Sequence, residues 1–107
     1  MSKIPDNVLK KIVGEIEAQA IVSQKQITVN RAERQSKEKE KKIAELILKE
    51  VSNLKSDTNE DMNQVQEKLA TQIKEINSEI DNLNKKILYH ETTLANTQPH
   101  IQRIING

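Results

Sequence analysis

MNQVQEKLATQIKEINSEIDNLNKKILYHETTLANTQPHIQRI, residues 62–104, decides the fold. With Ile73 taken as position a of a heptad, the a series runs Ile73, Ile80, Ile87, Leu94 and Ile101. The d series runs Met62, Leu69, Ile76, Leu83, His90, Thr97 and Ile104. Such spacing, sustained over about six heptads, keeps one apolar stripe turned toward a partner helix, because an under-wound helix returns to the same face about every 3.5 residues. The positions between carry Lys, Glu, Asp, Asn and Gln, so the remaining surface of this helix is solvated.

The first half of the chain repeats the pattern less clearly. Leu9, Val13, Ile16, Ala20 and Ile27 form a seam, with Ile12, Ile21, Val22 and Val29 beside it. NRAERQSKEKEKK, residues 30–42, offers only Ala32 as an apolar side chain, yet its residues favour helix and pair opposite charges at short spacing. The spacing predicts a helix that continues there with little to bury. The seam resumes with Ile43, Leu46, Ile47, Val51 and Leu54, with room for a register shift.

Between the halves lies KSDTNEDM, residues 55–62, where Asp57 or Thr58 suits a helix N-cap and Glu60 and Asp61 suit the positive end of a helix dipole. A reversal is expected here. Pro5 fits a first helical turn, Gly14 is a local weak point, and Pro99 is expected to kink or end the second helix. The expected organisation is one coiled-coil domain: helix one over residues 5–54, a turn at 55–61, helix two over 62–98 and an apolar-tipped tail, 99–107. The two helices would be about 75 Å and about 65 Å long and antiparallel, with both termini at one end. The fold class is therefore all-α, a long antiparallel two-helix coiled-coil hairpin. Its expected seam is Ile16, Ala20, Ile27, Ile47 and Val51 against Leu69, Ile73, Ile76, Ile80, Leu83, Ile87 and Leu94.

Composition agrees. The 107 residues are 31% charged and 35% hydrophobic, with Tyr89 as the single aromatic, so the rings that usually fill a globular core are missing while Ile, Leu and Val suffice for a narrow seam. Two glycines and two prolines leave a many-stranded fold almost nothing to turn with. The net charge of +1 creates no general field for nucleic acid or an anionic membrane. Residues 1–54 carry 11 Lys/Arg against 8 Asp/Glu, and residues 55–107 carry 6 against 8, a mild complementarity that suits two segments side by side. The absence of cysteine excludes disulfides and thiolate metal sites. No apolar run approaches a membrane span and MSKIPDNVLKK has no signal-peptide core, so a cytoplasmic location is expected.

Catalysis needs groups that converge in a cleft, and a two-helix rod is not expected to form one. No enzymatic activity, cofactor or metal is expected. His90 reads as a polar interruption at a d position and His100 as a solvent-exposed side chain, rather than as metal ligands. Lys37, Lys39, Lys41 and Lys42 alternate with Glu38 and Glu40, which reads as a solvated helix face and not a nucleic-acid contact. Near the ends, Val8, Leu9, Ile12 and Val13 would meet Ile101, Ile104 and Ile105 at a tip. There they either only close the coiled coil or present apolar surface that grips another protein.

The segment PDNVLKKIVGEIEAQAIVSQKQITVNRAERQ, residues 5–35, and the later KKILYHETTLANTQPHIQRI, residues 85–104, resemble the first and last helices of beta-type prefoldin subunits. Lys85, Lys86, Tyr89, Glu91, Thr92 and Thr93 are the more specific part of that likeness. The resemblance implies a subunit of a cytosolic heterohexamer of prefoldin-type chains. In it, coiled-coil tips hold unfolded clients such as actin and tubulin for a group II chaperonin, without ATP. It also implies a β-hairpin between the helices that builds the hexamer's barrel, whereas KSDTNEDMNQVQEKL passes almost directly into helix two. That departure leaves open a shortened or divergent form, or an internal segment missed in reading the gene. Rival readings are a structural coiled-coil subunit of another complex, such as a tether, kinetochore or cytoskeletal adaptor, and a tubulin-cofactor-like helical binder.

Overall fold

The computed structural model describes residues 4–54 and 60–106. Two helices account for nearly all of them: α1, Asp6–Asn53, and α2, Glu60–Asn106. The fold is all-α, an antiparallel two-helix coiled-coil hairpin, and no strand occurs among the described residues. The expected caps at Asp57 and Thr58 lie outside the described residues.

The start of α1 follows from its first residues. The Pro5 carbonyl accepts hydrogen bonds from the Val8 N–H at 3.0 Å and the Leu9 N–H at 2.9 Å, and Asp6 stands in the first turn, where a negative charge meets the positive end of the dipole. At the other end the Leu54 N–H donates to the Glu50 carbonyl at 3.0 Å. Gly14 is inside α1, and a Cβ at that position would meet nothing within 4 Å. Gly14→Ala therefore removes a helix-interior penalty of about 0.5–1 kcal/mol without a clash. The expected outcome is a thermal midpoint about 4 °C higher by circular dichroism.

The contacts divide the chain into two compact units. One comprises the residues up to Arg31 together with those from Lys85 onward, and the other comprises Ala32–Asn84. Both helices contribute to each.

In the first unit, Ser23 Oγ lies 3.4 Å from His90 Nδ1, and the Arg31 guanidinium donates to Glu91 Oε1 at 3.0 Å. The Ser23–His90 contact fixes an antiparallel register. Stepping three and four residues in opposite directions from it sets Ile27 opposite Ile87, Ala20 opposite Leu94, Ile16 opposite Thr97, Val13 opposite Ile101 and Leu9 opposite Ile104. Burial follows this stripe: Ile27, Ile87 and Ile101 are 2%, 4% and 5% exposed, and Ser23 is buried with them.

The helix does not end at Pro99. It continues to Asn106, so the tail expected after residue 98 is part of α2. Pro99 cannot donate to the Ala95 carbonyl, and a helix-interior proline costs about 3 kcal/mol. Ile101, buried beyond it, contributes about 1.5–3 kcal/mol, and Ile104 on the same stripe adds to that. Packing against α1 is thus of the right size to carry the helix through the proline.

In the second unit the stripe of α1 is Arg34, Lys37, Lys41, Ala44, Leu48 and Val51, and that of α2 is Met62, Gln66, Leu69, Ile73, Ile76, Ile80 and Leu83. These α1 positions continue the heptad of Ser23 and Ile27 without a shift. Ile43, Leu46, Ile47 and Leu54 fall off it and are 59%, 63%, 46% and 69% exposed, which corrects the assignment of Ile47 to the seam. Ala44, buried, and Leu48, partly covered, take that place. The helix thus keeps its register through residues 30–42 by accepting polar side chains on the stripe, where hydrophobicity alone suggested a break.

Long side chains make this workable. Lys37 is partly covered while its ammonium reaches Glu79 at 2.7 Å and Glu40 at 3.6 Å, so the stem covers apolar surface and the charge stays at the edge. The hydrogen bond to Glu79 holds the Lys37 pKa above its ordinary 10.5. Because the folded value is the higher one, this pair's contribution is complete below pH 10.5 and is lost as pH rises through the raised value. Arg34 donates to Asn84 Oδ1 at 2.8 Å, and Gln66 donates to Ser52 Oγ at 3.0 Å. Lys39 and Lys42 remain exposed, as a solvated face requires, but Lys37 and Lys41 belong to the helix pairing.

Candidate functional site

The first unit exposes apolar side chains along its length, Ile21, Val22, Val29 and Leu88 among them, and a further group at the end that holds the chain's first and last described residues. The register brings Leu9 and Val13 to Ile104 and Ile101, and the structure sorts the seven expected tip residues by burial. Ile101 is buried, Leu9, Ile12, Val13 and Ile104 are partly covered, and Val8 and Ile105 are each 42% exposed. Ile101 therefore belongs to the helix pairing and not to an open surface. Val8 and Ile105, with Ile4 at 37% exposure, are the apolar groups at this end that solvent reaches most.

Adjacent to them is an open groove of about 640 Å³ within the same unit. Ile16 and Gln19 of α1 form one wall. Thr93, Asn96, Thr97, His100 and Arg103 of α2 form the other, spaced so that they share one face of the helix. The threonine hydroxyls donate to their own helix, Thr93 to the Tyr89 carbonyl at 3.0 Å and Thr97 to the Thr93 carbonyl at 2.8 Å, which leaves their oxygens free to accept. Sequence reasoning missed this groove, since polar residues flanking a coiled-coil stripe read as ordinary solvated positions. The available signal was a run of five polar side chains on one helix face with no carboxylate among them.

His90 occupies the stripe, partly covered, against Ser23 and in an edge-to-face contact with Tyr89 at 5.2 Å between ring centres. Tyr89 itself is 69% exposed. His100 is exposed in the groove. Among the described residues no group of three or more His, Asp or Glu is arranged to hold a metal ion, and no helix is long and apolar enough to cross a membrane.

Paired helices along a polar-to-apolar stripe define a class of protein: a two-helix antiparallel coiled coil, here with apolar side chains beside an open groove at the end that holds the first and last described residues. The chain is similar to the probable prefoldin subunit 1 of Schizosaccharomyces pombe, with 28% identity over 107 residues that cover 90% of this chain and 96% of that protein. That likeness supports the prefoldin family without singling out subunit 1. No protein-family model matches the chain, and no solved structure matches it.

Proposed function

We propose that the chain is a prefoldin-like co-chaperone subunit that holds unfolded proteins at the end where its termini meet. The observation that carries this reading is the placement of exposed Val8 and Ile105 beside the partly covered Leu9, Ile12, Val13 and Ile104, in a chain similar along nearly its whole length to a prefoldin subunit. The chemistry is binding rather than catalysis. Each site offers weak apolar contact, and several such ends acting on one client supply the avidity that one lacks. The partners are other prefoldin-type subunits in a heterohexamer, clients of the actin and tubulin kind and a group II chaperonin in the cytoplasm. Exposed Ile43, Leu46, Ile47 and Leu54 offer apolar surface for contacts between subunits.

The test is light scattering by chemically unfolded actin diluted into buffer with the assembled complex and no nucleotide. Suppression by the native complex is expected. V8D combined with I105D raises the concentration needed by about tenfold, the loss of roughly 1.4 kcal/mol of apolar contact, with helicity unchanged because neither residue is buried. Full suppression by the variant removes this end from the mechanism, and no suppression by the native complex removes the co-chaperone reading. A structural coiled-coil subunit of another assembly draws on the same exposed stripe at Ile43, Leu46, Ile47 and Leu54. Native mass spectrometry separates the two: prefoldin-type chains co-purify in the first case, and unrelated coiled-coil subunits in the second.

A further inference from the structure

The groove beside the apolar end differs chemically from that end. Gln19, Asn96, His100 and Arg103 line it, and none of the four makes a side-chain hydrogen bond or ion pair among the described residues. Four polar side chains without partners face one open groove whose lining holds a guanidinium and an imidazole but no carboxylate.

The face from Thr93 to Arg103 advances about 15 Å along α2, the reach of four or five residues of extended chain at about 3.3 Å each. Gln and Asn amides each donate and accept, as a peptide bond does, so Gln19 and Asn96 match a backbone laid along the groove. Ile16 supplies an apolar wall for one side chain. Arg103 presents a planar fork of donors that suits a carboxylate, with no acid of this chain occupying it among the described residues. A nucleic-acid strand fits less well, because the lining contains no aromatic ring on which a base could stack.

We propose that this groove binds an extended acidic polypeptide segment, its backbone along Gln19 and Asn96 and an Asp or Glu carboxylate on Arg103. The site thereby selects among clients that the neighbouring apolar residues hold without discrimination. The assignment rests on the client-binding reading above and refines it.

The test uses the complex and two fluorescein-labelled unstructured peptides that share their apolar residues and differ only in carrying Asp or Asn. Fluorescence anisotropy at low salt is expected to give the Asp peptide an affinity about three- to fivefold higher, the size of an exposed ion pair, with the advantage lost at about 1 M salt. R103Q abolishes the difference without weakening the Asn peptide, and R103K retains part of it; Arg103 is exposed, so neither change threatens the fold. Equal binding of the two peptides to the native complex overturns the acidic preference while leaving client binding intact. So does a preference that survives R103Q, or displacement of the Asp peptide by an equal concentration of single-stranded oligothymidine. Failure of both peptides to bind overturns the client-binding reading and this refinement together.

Discussion

Ile27→Asp is expected to lower the thermal unfolding midpoint by roughly 15 °C or more. Ile27 is 2% exposed and stands opposite Ile87, itself 4% exposed, in the best-covered layer of the first unit. Removing its side chain costs about 2–5 kcal/mol in lost burial and cavity, and a carboxylate at that position adds the penalty of a desolvated, unpaired charge. A chain of this size has about 5–15 kcal/mol of stability in total, and each kcal/mol moves the midpoint by several degrees. The informative control is Ile21→Asp on the same helix, where the side chain is 58% exposed and the change should move the midpoint by less than about 3 °C. Equal effects at the two positions, followed by circular dichroism, contradict the pairing stripe.

Asn30→Ile is expected to act in the opposite direction, raising the midpoint by roughly 5–10 °C. Asn30 is 6% exposed on the same stripe, where an apolar side chain would pack better. A buried asparagine at a seam position costs stability and in return specifies register and oligomeric state. The gain in stability should therefore come with a loss of uniqueness, visible as more than one oligomeric state in native mass spectrometry. A lower midpoint would mean that Asn30 makes net-stabilising contacts, and a single state at a higher midpoint would mean that it specifies nothing. Arg34, Lys37 and Lys41 follow it on the stripe and bear on the same question. Like charges at these positions oppose pairing of α1 with another α1, whereas the isoleucines of α2 accept the lysine stems.

This contrast between the helices also explains how much of the fold was legible in sequence. In α2 the heptad positions are occupied by Ile and Leu, so residue type and position agree, and the stripe through Leu69, Ile76, Leu83 and Ile87 could be read directly. In α1 they disagree. From Asn30 to Lys41 the stripe positions are polar, and the apolar residues that come next, Ile43, Leu46 and Ile47, lie beside the stripe, so following hydrophobicity led to Ile47, and following the interval of seven from Ile27 leads to Leu48. Pro99 misled for a related reason: its local cost is plain in the sequence, whereas the offsetting burial of Ile101 depends on α1, some ninety residues earlier in the chain.

The candidate site shows the same division. The apolar residues near both termini were identifiable as a set. Which of them pair within the coiled coil and which face solvent depends on the register set by Ser23 and His90, and neither of those residues signals it by type. The groove at Gln19, Asn96 and Arg103 required the same register, because it is assembled from two helices that meet only in the folded chain.

Capture of a client at this end requires Val8 and Ile105 to belong to one end of one unit within a single molecule. The chain has no cysteine, so V8C and I105C can be labelled uniquely with nitroxides and diluted into excess unlabelled protein. Double electron–electron resonance should then report a distance below about 25 Å, as expected for labels on helices packed about 10 Å apart. A distance near 70 Å, about the length of one helix of 48 residues at 1.5 Å each, would contradict it.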